Sequence, residues 1–264
     1  MSTITTGVKE QYSDSQKLAA RARLYQDSTV AGTPWFPWVA ERLALSGGEA
    51  VLDIGCGPGW FWAASAEAVP HDIALTLADQ SAGMVEEAVG RCRAAGFARV
   101  AGLQADAMAL PFADASFDVV VAMHMFYHLS DQAGAMAEMH RVLKPGGRLV
   151  VTTNGRENLT GLYALTVAFG GGAVDPAAEA FGFERAEELM RAQFGGVAVE
   201  EHPAAMRISD PETVFLALTS YPPGDRASEA QLTAFRDGID KAFAAGGGVL
   251  EVRKQSGVFI GTKA

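Results

Sequence analysis

Five short apolar runs, separated by segments of helical periodicity, constrain the fold of this chain more than any other feature. The runs are EAVLDIG (49–55), IALTLAD (73–79), RVAGLQAD (99–106), FDVVVAM (117–123) and GRLVVTTN (147–154). They are rich in β-branched residues and nearly continuous in apolar character, which is typical of parallel strands buried on both faces. Helical patterns lie between them, for example over 81–95 and 131–143. Strands that alternate with helices predict a doubly wound α/β sheet.

The segments outside these runs predict additions to the sheet within one domain. A length of 264 residues fits a single globular domain with a large core. We expect a helical segment over 1–45, the core of the sheet over 46–155 and the remainder of the core over 156–204. A helical insertion over 205–248 and a final strand over 249–264 complete the prediction.

Composition narrows the classes of partner. The formal net charge is −10 and the Lys and Arg residues are scattered, so no basic surface for nucleic acid or an anionic membrane is expected. The N-terminus lacks the pattern of a signal peptide, and no apolar run reaches the roughly 18 residues of a membrane span. Cys56 and Cys92 have no metal-ligand spacing. We therefore expect a cytoplasmic protein with a small-molecule partner.

A glycine loop, VLDIGCGPGW, joins the first predicted strand to the next helix. Gly55, Gly57 and Gly59 allow a sharp turn and close approach of a ligand to the backbone. Their spacing differs from the Gly-x-Gly-x-x-Gly of dinucleotide sites. Asp53 precedes the loop, and Asp79 and Asp106 follow the second and third strands. Each acid alone is as consistent with a loop cap. Together, at the carboxyl edge of one sheet, they favour a cationic nucleoside over a pyrophosphate.

With these residues in place, the sequence resembles the class I S-adenosylmethionine-dependent methyltransferases of the small-molecule type, and is similar to the ubiquinone-pathway group. The matching stretches are VLDIGCGPG, LADQSAGMVEEA, QADAMALPFADASFDVVVA and HRVLKPGGRLVV, within about residues 49–152. The resemblance implies S-adenosylmethionine as cofactor and S-adenosylhomocysteine as product. It also implies a Rossmann-like sheet, mostly parallel with an antiparallel last strand, an N-terminal helical lid and a helical cap insertion.

By the same resemblance, the cofactor contacts follow the order of the motifs. Asp53 and the backbone of the three glycines would hold the methionine part, and Asp79 would hold the ribose. Gln80 and Met84 would border the adenine, Asp106 and Ala107 would contact its amino group, and Met123 would also lie at the cofactor. The aromatic run Trp60–Phe61–Trp62 departs from the usual pattern. It is open to a cation–π role or to packing, and packing is favoured.

The stretch MHMFYHL contains the candidate catalytic residues. His124 and His128 follow the fourth strand and are suited to accept a proton near neutral pH. An HxxxH pair also suits zinc, but Met125 occupies the position of the catalytic Glu and no third ligand is evident, so no metal is expected. Packing is an equally open alternative for both histidines. Tyr12, in the lid, is a further candidate for contact with cofactor or acceptor.

We therefore expect methyl transfer to a small, partly apolar acceptor held between 9–40 and 205–248. Lining is expected from Tyr127, Asn154, Phe215, Leu216, Leu218 and Tyr221. A cyclase-like enzyme that retains the cofactor without methylating, and a cofactor-binding regulatory protein, remain open. A nicotinamide-dependent oxidoreductase is disfavoured because the dinucleotide spacing is absent. The acceptor atom and the oligomeric state are not predicted.

Overall fold

The computed structural model describes residues 16–264, with side chains from residue 22 onward. The strands are β1 (Thr29–Ala31), β2 (Ala50–Ile54), β3 (Ala74–Asp79), β4 (Arg99–Gln104), β5 (Phe117–Met123), β6 (Leu143–Asn154), β7 (Val197–Glu201), β8 (Ala204–Ile208), β9 (Leu250–Arg253) and β10 (Ser256–Thr262). The helices are α1 (Gln16–Ser28), α2 (Trp35–Leu43), α3 (Trp60–Ala64), α4 (Ala82–Ala94), α5 (Gln132–Val142), α6 (Thr160–Tyr163), α7 (Pro176–Phe181), α8 (Phe183–Phe194), α9 (Pro211–Thr219) and α10 (Glu229–Ala245). None of these helices is long and apolar enough to cross a membrane.

Contacts divide the chain into two compact units. The described part of unit 1 comprises residues up to Gly32, Asn154–Ala180 and Pro203–Ser256. Unit 2 comprises Thr33–Thr153, Phe181–His202 and Gly257–Ala264.

Unit 2 contains the predicted sheet, in the order β4–β3–β2–β5–β6–β10–β7. Neighbouring strands from β4 to β6 pair in parallel, whereas β10 pairs antiparallel with β7. Backbone hydrogen bonds that join Lys263 to Gly146 and Gly147 make β10 antiparallel to β6 as well, because they link the end of one strand to the start of the other. The predicted fold class, a doubly wound and mostly parallel sheet with an antiparallel last strand, is confirmed.

Apolar side chains cover both faces of this sheet, which explains the continuous apolar runs. Residues that alternate along β2 and β5 divide between two core clusters. Leu52 and Val120 pack in one cluster, and Val51 and Val119 pack in the other. All four side chains are fully buried. A strand with two buried faces therefore needs no polar alternation.

Unit 1 contains an antiparallel sheet in the order β1–β8–β9. Its core combines side chains from α1, α6, α9 and α10, among them Leu24, Leu162, Leu218 and Phe235. The strand β1 has three residues, too few for the alternation that marks a strand in a sequence.

The predicted final strand over 249–264 differs from the structure, which has two strands there. The first strand, β9, pairs with β8 and alternates between exposed and half-buried residues. The second, β10, is almost continuously buried and pairs with β7. Lys254 and Gln255 separate them because each strand joins a different sheet. The other boundaries of lid, core and cap stay a prediction.

Candidate functional site

The glycine loop runs from the end of β2 to the start of α3 in unit 2. The backbone N–H groups of Gly55 and Cys56 both donate to the carbonyl of Ala78, at 2.8 and 3.1 Å. These bonds hold the loop against the end of β3. Gly55, Gly57 and Gly59 have φ values of 74°, 51° and 75°, which other residues rarely adopt.

The three glycines have different surroundings. A Cβ at Gly55 would lie 2.8 Å from Cβ of Met125, and one at Gly59 would lie 2.8 Å from Cα of Ala88 in α4. A Cβ at Gly57 would meet no described atom within 4 Å. Gly55 and Gly59 are therefore needed for internal packing, whereas Gly57 borders open space that a ligand can occupy.

Asp53 lies in β2, directly before the loop, and its side chain is buried. Its Oδ2 accepts a hydrogen bond of 2.8 Å from Nε1 of Trp62. Its Oδ1 is buried without a hydrogen-bond donor among the described residues. The pKa of Asp53 is raised to about 7, because burial and the nearby Asp79 raise it more than the Trp62 hydrogen bond lowers it. The unpartnered Oδ1 of Asp53 can therefore accept a hydrogen bond from a ligand.

Asp79 is the last residue of β3, and its side chain contacts the glycine loop. Its Oδ2 accepts from the N–H of Gly57 at 3.0 Å, and its Oδ1 accepts from the N–H of Ser81 at 2.9 Å. Burial raises the pKa of Asp79, and these backbone donors oppose the increase. The structure therefore brings Asp53, Asp79 and Gly57 together at the carboxyl edge of the sheet.

The other expected cofactor contacts lie along the same edge. Asp106 follows β4, and the N–H of Ala105 donates to the carbonyl of Asp79 at 3.0 Å. Oδ1 of Asp106 accepts from the N–H of Met108 at 2.9 Å, which is a loop-capping contact. The remaining residues are placed as follows: Gln80 is exposed, Ala107 and Met84 are buried, and Met123 is half-buried at the end of β5. Their role toward a cofactor stays a prediction.

The two candidate histidines occupy a turn directly after β5. His124 has a φ of 49°, and its N–H donates to the carbonyl of Thr152 at 3.1 Å. Its ring centroid lies 5.6 Å from that of Trp35 in α2. His128 ends a 3-10 turn over Phe126–His128 and contacts the Tyr127 ring at 4.5 Å. Both rings are half-buried, so proton transfer and packing remain open for each.

Three further expectations from the sequence concern Tyr12, a metal site and the aromatic run 60–62. Tyr12 lies outside the described residues. Within residues 16–264, no group of three or more His, Cys, Asp or Glu side chains is placed to hold a metal. Phe61 and Trp62 are buried and pack with the sheet, as the packing alternative predicts, and Trp62 also contacts Asp53. The contact was missed because the five-residue helix α3 is too short to show a periodic pattern.

In unit 1 the residues expected to line an acceptor pocket have different environments. Leu218 is buried in the core and Leu216 is 48% exposed, whereas Tyr221 lines a cavity. Phe215 lies under the guanidinium of Arg236, whose carbon is 3.5 Å from the ring centroid. Asn154 is engaged in a buried network and donates to Asp175 at 2.8 Å. An acceptor site formed by these residues stays a prediction.

The sequence of this chain matches a known protein family and several known proteins. Residues 52–151 match the family model described as a methyltransferase domain. The chain is 41% identical over 114 residues to 27-O-demethylrifamycin SV methyltransferase from Amycolatopsis mediterranei, covering 43% of this chain and 41% of that protein. It is 41% identical over 117 residues to demethylmenaquinone methyltransferase from Clavibacter sepedonicus, covering 44% and 46%. The chain therefore spans less than half the length of these two relatives.

A solved structure extends the similarity beyond the matched region. The crystal structure of the (4+2)-cyclase SpnF has a TM-score of 0.53 and 26% identity, covering 86% of this chain and 80% of that one. Residues 52–151 of this chain are therefore similar to a methyltransferase domain, in agreement with the resemblance that the sequence motifs predicted.

Proposed function

We propose that this protein transfers a methyl group from S-adenosylmethionine to a small organic, partly apolar acceptor. The observation that carries the proposal is the corner formed by Asp53, Asp79 and Gly57 in unit 2. Asp79 accepts from Gly57 at 3.0 Å, and Gly57 borders open space. The matched methyltransferase domain over 52–151 supports the same cofactor.

The residues of this corner fit the proposed cofactor. Oδ1 of Asp53 lacks a donor among the described residues, and an amino group of the methionine part can supply one. Each carboxylate oxygen of Asp79 accepts one backbone N–H and has a further lone pair, so ribose hydroxyls can be bound as well. We assign Asp106 and Ala107 to the adenine, with Gln80, Met84 and Met123 beside it.

The bound cofactor supplies a methyl group already activated by its sulfonium, so the chain's main task is to hold the reacting groups in line. If the acceptor loses a proton, we assign its removal to His128, with His124 as the second candidate. Tyr12 is a proposed contact to the cofactor or the acceptor.

Calorimetric titration tests the cofactor assignment. We expect S-adenosylmethionine to bind and NADH not to bind. Asp79→Ala should weaken binding of S-adenosylmethionine by about 10- to 100-fold, because hydrogen bonds to a charged carboxylate are lost. Asp237→Ala, at an exposed position in α10, is the matched control and should leave binding unchanged. Tight NADH binding without a response to S-adenosylmethionine would contradict the proposal.

The similarity to the (4+2)-cyclase SpnF favours a second candidate function, an enzyme that retains the cofactor and does not methylate. Incubation with methyl-labelled cofactor and a metabolite extract separates the two. Labelled product supports methyl transfer, whereas conversion of an extract component without label supports the cyclase-like alternative. Binding of the cofactor without any conversion would favour a regulatory protein. A cytoplasmic location and a place in small-molecule metabolism are part of the proposal.

A further inference from the structure

Unit 1 contains a cavity of about 370 Å³, and one of its lining residues, Tyr221, is also expected to line the acceptor pocket. Two features of the sequence meet in its wall, the glycine triplet 170–172 and the Tyr221–Pro222–Pro223 turn. The remaining lining residues are Tyr163, Thr166, Phe169, Pro176, Glu179 and Ala180. All of these residues belong to unit 1, so the cavity is formed within that unit.

The glycine side of the cavity is fixed by local contacts. Oγ1 of Thr166 lies 3.0 Å from the carbonyl oxygen of Gly172 and 2.8 Å from that of Tyr163, and can donate to either. The N–H of Gly171 donates to the Thr166 carbonyl at 3.0 Å, and a Cβ at Gly171 would collide with the Thr166 side chain. A residue larger than glycine therefore cannot take this conformation without a shift. The contacts with Thr166 therefore hold the triplet in place as one side of the cavity.

The rest of the lining is aromatic and negatively charged. Tyr163, Phe169 and Tyr221 contribute rings, and Glu179 contributes an exposed carboxylate. No Lys, Arg or His occurs among the lining residues of this described cavity. A sphere of its volume has a radius of about 4.5 Å, within the roughly 6 Å over which a ring face attracts a cation. The lining therefore favours positive charge.

A buried acid lies behind this aromatic wall. The carboxylate of Asp175 accepts from Nδ2 of Asn154 and Asn158 at 2.8 and 2.7 Å, and from the N–H of Ala177 at 2.9 Å. The Tyr163 hydroxyl also donates to it. Burial raises the pKa of Asp175, but these donors act against the increase, because a protonated carboxyl would need an acceptor. A phenol that donates to a carboxylate has a more electron-rich ring, which strengthens attraction of a cation.

A buried cation belongs to the same network. Nζ of Lys254 donates to Oγ of Ser256 at 3.4 Å, and Oγ of Ser256 donates to Oδ1 of Asn154 at 2.8 Å. Lys254 is connected to Asp175 through these two side chains and is not among the lining residues. Lys254 therefore adds no cationic group to the lining itself.

We propose that this cavity is a binding site for a small organic cation, such as a quaternary ammonium or a protonated amine. The aromatic rings supply the attraction, Glu179 supplies the counter-charge, and the glycine triplet leaves space for the ligand. All residues of the proposed site belong to unit 1, and the proposal does not assume that the protein transfers a methyl group.

Choline and its neutral carbon isostere, 3,3-dimethylbutan-1-ol, are the probes for a ligand-observed NMR titration of the full chain. The two molecules have nearly the same shape, so a difference in affinity reports charge. We expect choline to bind about tenfold more tightly than the isostere, as cation–π attraction at a partly desolvated site predicts. Equal affinity for the two probes, or no choline binding, would overturn the proposal.

Two variants locate the bound probe. Glu179→Gln should weaken choline binding by about three- to tenfold, since an exposed carboxylate acts through partly screened charge. Glu251→Gln, which removes the same charge from an exposed position of unit 1 outside the cavity, should leave it unchanged. Tyr221→Leu removes one ring and should weaken choline more than the isostere. Equal choline affinity in the wild type and Glu179→Gln would place the probe elsewhere. Binding of S-adenosylmethionine, measured in parallel, should be unaffected.

Discussion

The indole Nε1 of Trp62 donates a 2.8 Å hydrogen bond to Oδ2 of Asp53, and both side chains are buried. The bond fixes one oxygen of the acid and leaves the other oxygen, Oδ1, without a donor among the described residues. A residue expected to pack therefore also orients the acid that precedes the glycine loop. Trp62→Phe should keep most of the packing and raise the pKa of Asp53, because the hydrogen bond lowers it. The shift can be followed by NMR of the carboxyl carbon.

The raised pKa of Asp53 predicts how stability depends on pH. Burial raises this pKa from 3.8 to about 7, so between these values the folded protein holds a proton that the unfolded chain has released. Stability should therefore fall as pH rises through this window and level off above pH 7, by up to about 4 kcal/mol for this one group. Asp53→Asn should flatten the profile.

Denaturant unfolding at pH 5 and pH 8 checks this dependence. Asp79 changes in the same direction, so part of the slope should persist in the Asp53→Asn variant. Asp237→Asn, at an exposed position, is the control and should follow the wild type. An Asp53→Asn variant with the full wild-type slope would show that another group causes it.

The glycines of the loop should respond differently to a methyl group. Gly59→Ala should reduce the free energy of unfolding by about 2–4 kcal/mol, since the new Cβ meets Cα of Ala88 at 2.8 Å in a left-handed conformation. Gly57→Ala has open space and should cost about 1–2 kcal/mol from its positive φ alone. Its main effect should be weaker binding of S-adenosylmethionine. Unfolding and calorimetry on both variants check this order, and an equal loss of stability would contradict it.

His128 is tested by separating binding from turnover. If it removes a proton from the acceptor, His128→Ala should lower kcat by about 100-fold or more and leave affinity for S-adenosylmethionine within about twofold. His71→Ala, at an exposed position in the same unit, controls for loss of an imidazole. Unchanged turnover would make His128 a packing residue. The same pair of measurements on His124→Ala decides between its contact with Trp35 and a chemical role.

Lys254 should make stability rise in alkaline solution. Burial lowers its pKa from 10.5 to about 8, so between these values the unfolded chain binds more protons than the folded one. Stability should therefore increase as pH rises from 8 to 10.5. Lys254→Met should be more stable than the wild type at pH 7 by up to about 3 kcal/mol, with a smaller difference at pH 10. Lys241→Met, at an exposed position, should show no such trend in denaturant unfolding. A difference for Lys254→Met that is constant with pH would refute this explanation.

The sheet of unit 2 could be predicted because its strands are buried on both faces. Val51 and Val119 lie in continuous apolar runs, and such runs have few other structural solutions. The corner of Asp53, Asp79 and Gly57 followed from the same argument, because parallel strands end at one edge. The role of each glycine could not be predicted from the sequence. It depends on Met125 and Ala88, which approach from other elements.

Less of the structure of unit 1 could be predicted from the sequence, because its contacting segments are far apart along the chain. The network around Asp175 joins Asn154, Asn158 and Ser256, and no local spacing connects them. The sheet β1–β8–β9 likewise depends on pairing between distant short segments. The split between β9 and β10 follows from each strand's partner, which one strand's composition does not specify.

The position of β10 between β6 and β7 has a consequence for synthesis of the protein. In the described sheet, β7 pairs with β10, which follows it along the chain and is synthesised later. While the ribosome is still adding residues 202–255, β7 has been translated but its pairing strand has not. The nascent chain must therefore carry Val197–Glu201 without its partner strand until β10 has also been synthesised. This edge of the sheet can form only after β10.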